Sequence, residues 1–155
     1  MFDDELVINT SVMSSFHKIG RFDILQKLCK KVIVPKGVME EFSKEFDFPE
    51  FIKPHELNEK QLTIALSLGL GQGESQAIAV AMDLQKTVVI DENQARKLAK
   101  KLGLKVIGTF GLIKISFEDC LIDENERTKM VNDLGNDQHT ETWLKNYVLE
   151  AKKIR

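Results

Sequence analysis

An α/β fold on a mostly parallel sheet is the class this chain predicts, and three observations predict it. Short apolar, β-favouring runs alternate along the chain with longer segments of helical period. Two of those runs, Leu6-Val7-Ile8 and Thr87-Val88-Val89-Ile90, read as buried strands, each ended by one polar residue, Asn9 and Asp91. Glycine, proline and capping residues punctuate the junctions.

Leu6-Val7-Ile8 is the first strand, and Thr10 or Ser11 is placed to cap the helix after it, Ser11 to His17. Gly20 separates this from a second helical stretch, Phe22 to Lys30, with apolar residues at Phe22, Leu25 and Leu28. Lys31-Val32-Ile33-Val34-Pro35 is the next strand; its proline stops it and suits the start of a helix over Lys36 to Phe46. Residues 47–57 carry Pro49 and Pro54 and read as a loop, with a short strand near Phe51-Ile52. Asn58 and Gln61 form a capping-box pattern for a helix from Glu59 to Leu68, and Gly69 suits its end. An alanine-rich helix spans Glu74 to Leu84, followed by the strand at 87–90 and a helix from Asn93 to Leu102 stopped by Gly103. Lys105-Val106-Ile107 is a short strand and Thr109 to Phe117 a short helix. The polar remainder from Asp123 reads as two helices split near Gly135-Asn136. Trp143, Leu144, Tyr147 and Val148 give the last one an apolar face, to dock on the body or on a partner. The organisation expected is a body over 1–118 and a C-terminal helical extension of the same domain over 119–155.

A chain of 155 residues can bury one sizeable core. Its 43% apolar and 30% charged composition is that of an ordinary globular protein. A net charge of −2 supplies no global basic field, so any nucleic-acid contact must come from a local patch. Cys29 and Cys120 have neither disulfide-framework nor metal-ligand spacing; the reading is reduced thiols in a cytoplasmic protein. No apolar run approaches the length of a membrane span, and His17, His55 and His139 are too scattered for a zinc site.

In open α/β sheets ligands bind beyond the carboxyl ends of the strands. Asn9 and Asp91 fall there from the pattern alone; Glu41 lies on the helix after the second strand, Glu74 opens the helix before the Asp91 strand, and Glu92 adjoins Asp91. Hard divalent cations take oxygen ligands, commonly one or two carboxylates with waters and substrate phosphate, so a pocket collecting Glu41, Glu74 and Asp91 suits Mg²⁺. Each residue also has an ordinary reading. Glu74 complements a helix dipole, Glu41 is a solvated helix face, Asp91 with Asn93 caps the next helix, and Asn9 is a turn residue. Spacing alone does not choose between the two.

Five segments in order resemble the PIN-domain family. They are Val7-Ile8-Asn9-Thr10-Ser11, Val34-Pro35-x-x-Val38-x-x-Glu41, Leu70-Gly71-x-Gly73-Glu74-x-x-Ala77-Ile78, Val89-Ile90-Asp91-Glu92-x-x-Ala95-Arg96, and Gly103-Leu104-Lys105-Val106-Ile107-Gly108-Thr109-x-Gly111. The resemblance runs from about residue 6 to 115 and leaves the tail uncovered; it is closest to the toxin ribonucleases (virulence-associated protein C type) of type II toxin–antitoxin pairs. It implies a Rossmann-like three-layer sandwich and a cluster of acidic residues binding Mg²⁺ or Mn²⁺. It further implies endonucleolytic cleavage of RNA, a small antitoxin partner and a homodimer. By position it places Asn9 where the first family aspartate stands, Glu41, Glu74 and Asp91 at the following acidic positions, Glu92 as a competitor to Asp91, and Thr10 and Ser11 as the supporting hydroxyl pair. Asn9 is the departure: an amide oxygen ligates a hard cation without adding negative charge.

Two basic clusters flank these positions, one at Arg96, Lys97, Lys100, Lys101 and Lys105, the other at Lys27, Lys30, Lys31 and Lys36. Lysines are the normal solvated face of a helix, and Arg96 with Lys97 are the candidates for RNA phosphate. Gly69-x-Gly71-x-Gly73 is no nucleotide loop, because no strand precedes it and no Gly-Lys-Ser/Thr follows. The expected activity is therefore a Mg/Mn-dependent ribonuclease; the alternative is a PIN-like module that binds RNA or protein through an attenuated metal site.

Overall fold

The computed structural model describes residues 4–43, 47–135 and 142–153; the side chains of residues 38, 41–43, 142 and 143 lie outside the description. So the Glu41 carboxylate and the Trp143 ring, both named from the sequence, are outside the described residues.

Five parallel strands form one sheet in the order β3-β2-β1-β4-β5. They are β1 (Glu5–Ile8), β2 (Lys31–Pro35), β3 (Ile52–His55), β4 (Thr87–Val89) and β5 (Val106–Ile107). The helices between them are α1 (Thr10–Lys18), α2 (Phe22–Leu28), α3 (Lys36–Ser43), α4 (Glu59–Ser67), α5 (Gln72–Leu84) and α6 (Asn93–Lys101). After β5 come α7 (Thr109–Glu118), α8 (Glu124–Gly135) and α9 (Thr142–Leu149). The sheet is parallel throughout, and the register pairs Val7 with Ile33 on one side and with Val88 on the other.

The alternation of a strand divides the core in two. Leu6 and Ile8 point into a cluster with Phe16 of α1, Leu25 of α2 and Leu112 of α7, while Val7, Ile33, Val88 and Ile90 meet Ala77, Ile78 and Ala81 of α5. Small residues, Ala95 and Ala99, bring α6 close to that second face. The result is three layers.

β3 reaches beyond the short strand expected near Phe51-Ile52 and contains Pro54. It pairs only with β2, so it is an edge strand, where a residue without an N–H costs no ladder hydrogen bond. The capping box of α4 is formed as the sequence implied, Asn58 and Gln61 bonding each other's backbone. Gly69 (φ +70°) and Gly103 (φ +87°) take the left-handed turns that end α4 and α6, which a side chain would strain.

The C-terminal helices join the first core cluster through Met130, Val131, Leu134 and Val148. Arg127, 5% exposed, lies over the Phe117 ring at 4.0 Å and donates to the Ala151 carbonyl, tying α8 to α7 and to the segment after α9. Of the apolar face expected on α9, Val148 is buried against the body and Leu144 packs beside it, while Tyr147 is 55% exposed. No described helix is long and apolar enough to cross a membrane.

Arg21 fastens α8 to the α1–α2 junction by donating to both Asp23 and Glu126. The Arg21 hydrogen bond holds the Asp23 carboxyl below its ordinary value. A carboxyl depressed in the folded state adds stability above its unfolded value and loses it as pH falls through the folded one. Thermal melts between about pH 6 and pH 3 should therefore show a fall in Tm that Asp23→Asn makes shallower.

Candidate active site

The strand order reverses between β1 and β4, which run from the middle of the sheet to opposite edges. Such a switch point opens a crevice at the carboxyl ends of the two strands. Asn9 follows β1 there and its amide donates to the Val89 carbonyl of β4; Asp91 leaves the sheet two residues after β4.

Asn9 is 2% exposed and acts as the N-cap of α1. Its Oδ1 accepts from the Thr10 amide at 2.7 Å and its Nδ2 donates to Ser11 Oγ at 3.2 Å. The expectation that Thr10 or Ser11 caps the helix is corrected: the strand's last polar residue is itself the cap, because its extended backbone (φ −72°, ψ 152°) precedes the first helical residue. The helix opening at Gly71-Gln72-Gly73 comes up against this amide. A Cβ on Gly73 would lie 3.1 Å from Asn9 Oδ1 and 3.8 Å from Thr10 Oγ1. Glycine therefore permits the close approach of α5 to the end of β1.

Glu74, in the first turn of α5, is half-buried, and its carboxylate has no hydrogen bond or ion pair among the described residues. A Cβ on Gly71 would sit 2.6 Å from its Oε2. Thr10 Oγ1 and, one residue beyond Glu74, Ser75 Oγ are buried without a hydrogen-bond partner among the described residues. Buried polar atoms are seldom left so, and those that are need a reason.

Asp91 does not cap the helix after it. Glu92 is the N-cap of α6, its two carboxylate oxygens accepting from the amides of Gln94 and Ala95. Glu92 is exposed and engaged by backbone, while Asp91 turns to α7. There Thr109 holds it twice at 2.7 Å: the Thr109 amide donates to Oδ1 and the hydroxyl to Oδ2. A Cβ on Gly108 would lie 2.9 Å from Asp91 Oδ1 and 2.7 Å from Arg96 Nη1, so this glycine makes room for both. Arg96, half-buried, donates to the Ile90 carbonyl at 3.0 Å; Lys97 is exposed.

Asn9, Glu74 and Asp91 offer oxygen donors only, the set a hard divalent cation prefers. Glycine makes room beside Asn9 and Asp91, and a hydroxyl with no partner among the described residues, that of Thr10, adjoins Asn9. The set fits such a cation in kind. Among the described residues, no three His, Cys, Asp or Glu side chains form a group able to hold a metal.

A family model described as a PIN domain matches residues 5–152. The chain belongs to the PIN-domain family. PIN domains are generally nucleases and typically use divalent metal ions. The match takes in the C-terminal helices, which the sequence resemblance did not reach. No curated protein matches the chain. Among solved structures it is similar to a PilT N-terminus domain protein from the hyperthermophilic archaeon Sulfolobus solfataricus P2. The two are 18% identical with a TM-score of 0.49, over 74% of this chain and 94% of that one.

In this PIN domain sequence reasoning passed over Thr109 as a functional residue. Its signal was a threonine directly after a glycine at a helix start, a pattern with an ordinary capping reading; its aim at Asp91 depends on α7 lying beside the end of β4. Thr109→Val keeps the shape and removes the hydroxyl donor. It should lower the unfolding free energy by about 1–3 kcal/mol in urea titrations, and Thr109→Ser should restore most of that.

Proposed function

We propose that this PIN domain is a divalent-metal-dependent endoribonuclease, working as the toxin of a toxin–antitoxin pair. The supporting observation is the grouping at the switch point: Asn9 and Asp91 follow neighbouring strands, and Glu74, whose carboxylate has no partner among the described residues, stands in the first turn of the helix that touches Asn9.

Asn9, Glu41, Glu74 and Asp91 would hold Mg²⁺ or Mn²⁺, whose chemistry is to polarise a phosphodiester and acidify a bound water. Glu74 is the group left to take a proton from an attacking water, because no protein donor among the described residues occupies it. Thr109 fixes both Asp91 oxygens, which keeps the carboxylate oriented before a ligand arrives. Arg96 and Lys97, on the helix leaving the site, would contact the RNA phosphates. Glu92, engaged at its cap, takes the lesser part. A homodimer and a small antitoxin partner complete the reading.

One observation favours a second reading, an RNA- or protein-binding module with an attenuated site. Asn9 brings no charge, and its Oδ1 already accepts from the Thr10 amide.

Glu74→Gln and Asp91→Asn should each abolish Mn²⁺-dependent cleavage of a labelled RNA while leaving the circular dichroism spectrum unchanged. Wild-type protein that cuts no faster than these variants would overturn the ribonuclease reading and favour the binding module. Asn9→Asp should tighten Mn²⁺ binding in calorimetry, and an unchanged isotherm would put residue 9 outside the metal site. For the biological role, the expected finding is an adjacent short gene whose product inhibits the cleavage.

A further inference from the structure

The two basic clusters of the sequence differ in the fold. Lys27, Lys30, Lys31 and Lys36 all reach carboxylates, those of Asp23, Asp4, Glu5 and Glu56. Lys97, Lys100, Lys101 and Lys105 are exposed and pair with no carboxylate among the described residues. Three of them share one face of α6 at i, i+3 and i+4, opposite the buried Ala95 and Ala99. α6 carries no acidic residue at all. Like charges at this spacing repel, and an ordinary solvated helix offsets them with interleaved carboxylates. The helix dipole favours Lys100 and Lys101 in the last turn, but it gives no reason for Lys97.

The helix has a direction. It begins two residues after Asp91 and runs back to the amino-terminal edge of the sheet, where the strands start. There a cleft of about 480 Å³ opens with Met82, Leu102 and Leu104 in its wall and Lys86 and Lys105 at its lining. A helix of nine residues is about 13 Å long, the span of roughly four stacked phosphates of one strand.

We infer that the cationic face of α6, extended by Lys105, is a track for the phosphate backbone of single-stranded RNA, leading from the Asp91 site to the amino-edge cleft. This rests on the ribonuclease reading for its substrate class. Lys97, Lys100, Lys101 and Lys105 contact phosphate without reading sequence, and hold the strand on one side of the scissile bond. The other cluster, Lys27, Lys30, Lys31 and Lys36, each within 4 Å of a carboxylate, has no such part.

The test measures binding apart from cutting. Anisotropy of a fluorescein-labelled single-stranded oligoribonucleotide, in EDTA and over a range of KCl, gives both affinity and salt slope. Changing Lys97, Lys100, Lys101 and Lys105 together to Ala should weaken binding by about tenfold or more and make the slope shallower by roughly three. Alanine favours the helix and relieves the repulsion, so the melting temperature should not fall. The same four positions changed to Gln should behave alike. Lys27→Ala, Lys30→Ala and Lys31→Ala together should leave affinity and slope unchanged. Unchanged RNA binding by the α6 variants, with Mn²⁺-dependent cleavage intact in the wild type, overturns the track and spares the ribonuclease reading. A wild type that neither cuts nor binds RNA overturns both. Preference for polyglutamate over RNA, lost in the α6 variants, makes this face a dock for an acidic protein and overturns the track.

Discussion

The parallel pairing of β1 with β4 is the constraint on which the rest depends. It continues past the strands into the hydrogen bond from the Asn9 amide to Val89, and it sits where the strand order turns back on itself. Every βα connection after these strands must leave from the same edge, and connections from neighbouring strands diverge at that point. The crevice is a product of topology. Its polar lining follows because strand ends that point at helix starts need capping groups.

Capping and chemistry therefore draw on the same residues. Asn9 closes the first turn of α1, Asp91 receives the first amide and hydroxyl of α7, and Glu74 stands in the first turn of α5. Helix N-termini favour negative charge and oxygen acceptors, so a cluster of them raises the local demand for oxygen ligands before any metal is considered. The three differ in what remains free. Asn9 and Asp91 have spent lone pairs on backbone, and Glu74 has spent none among the described residues. Close packing is then set by glycine at 73 and 108, where a methyl group would crowd Asn9 at 3.1 Å or run into Asp91 at 2.9 Å.

Where the sequence was legible, the reason was local. Apolar runs bounded by Pro35, Gly69 or Gly103 mark elements because backbone preference and periodicity act over a few residues. The capping box at Asn58 and Gln61 was readable for the same reason. Misreadings occurred where two roles share one local signature. Thr10 and Ser11 resemble caps as much as Asn9 does, and an Asp-Glu pair before a helix does not announce which carboxylate turns back to cap it. The strand β3 was blurred by Pro54, whose missing N–H is harmless only on an edge, and an edge is a property of the whole sheet.

By itself the sequence determined the α/β alternation, the near boundaries of the elements, and the placing of Asn9 and Asp91 at strand ends, since each follows from patterns within one segment. Only the tertiary structure decided that Asp91 turns to Thr109 while Glu92 caps α6, that Gly73 lets α5 onto Asn9, and that one lysine cluster lies beside carboxylates while the other meets none among the described residues. Those outcomes depend on which elements become neighbours. Neighbours are chosen by sheet order and by the burial of both faces, neither of which any single segment encodes.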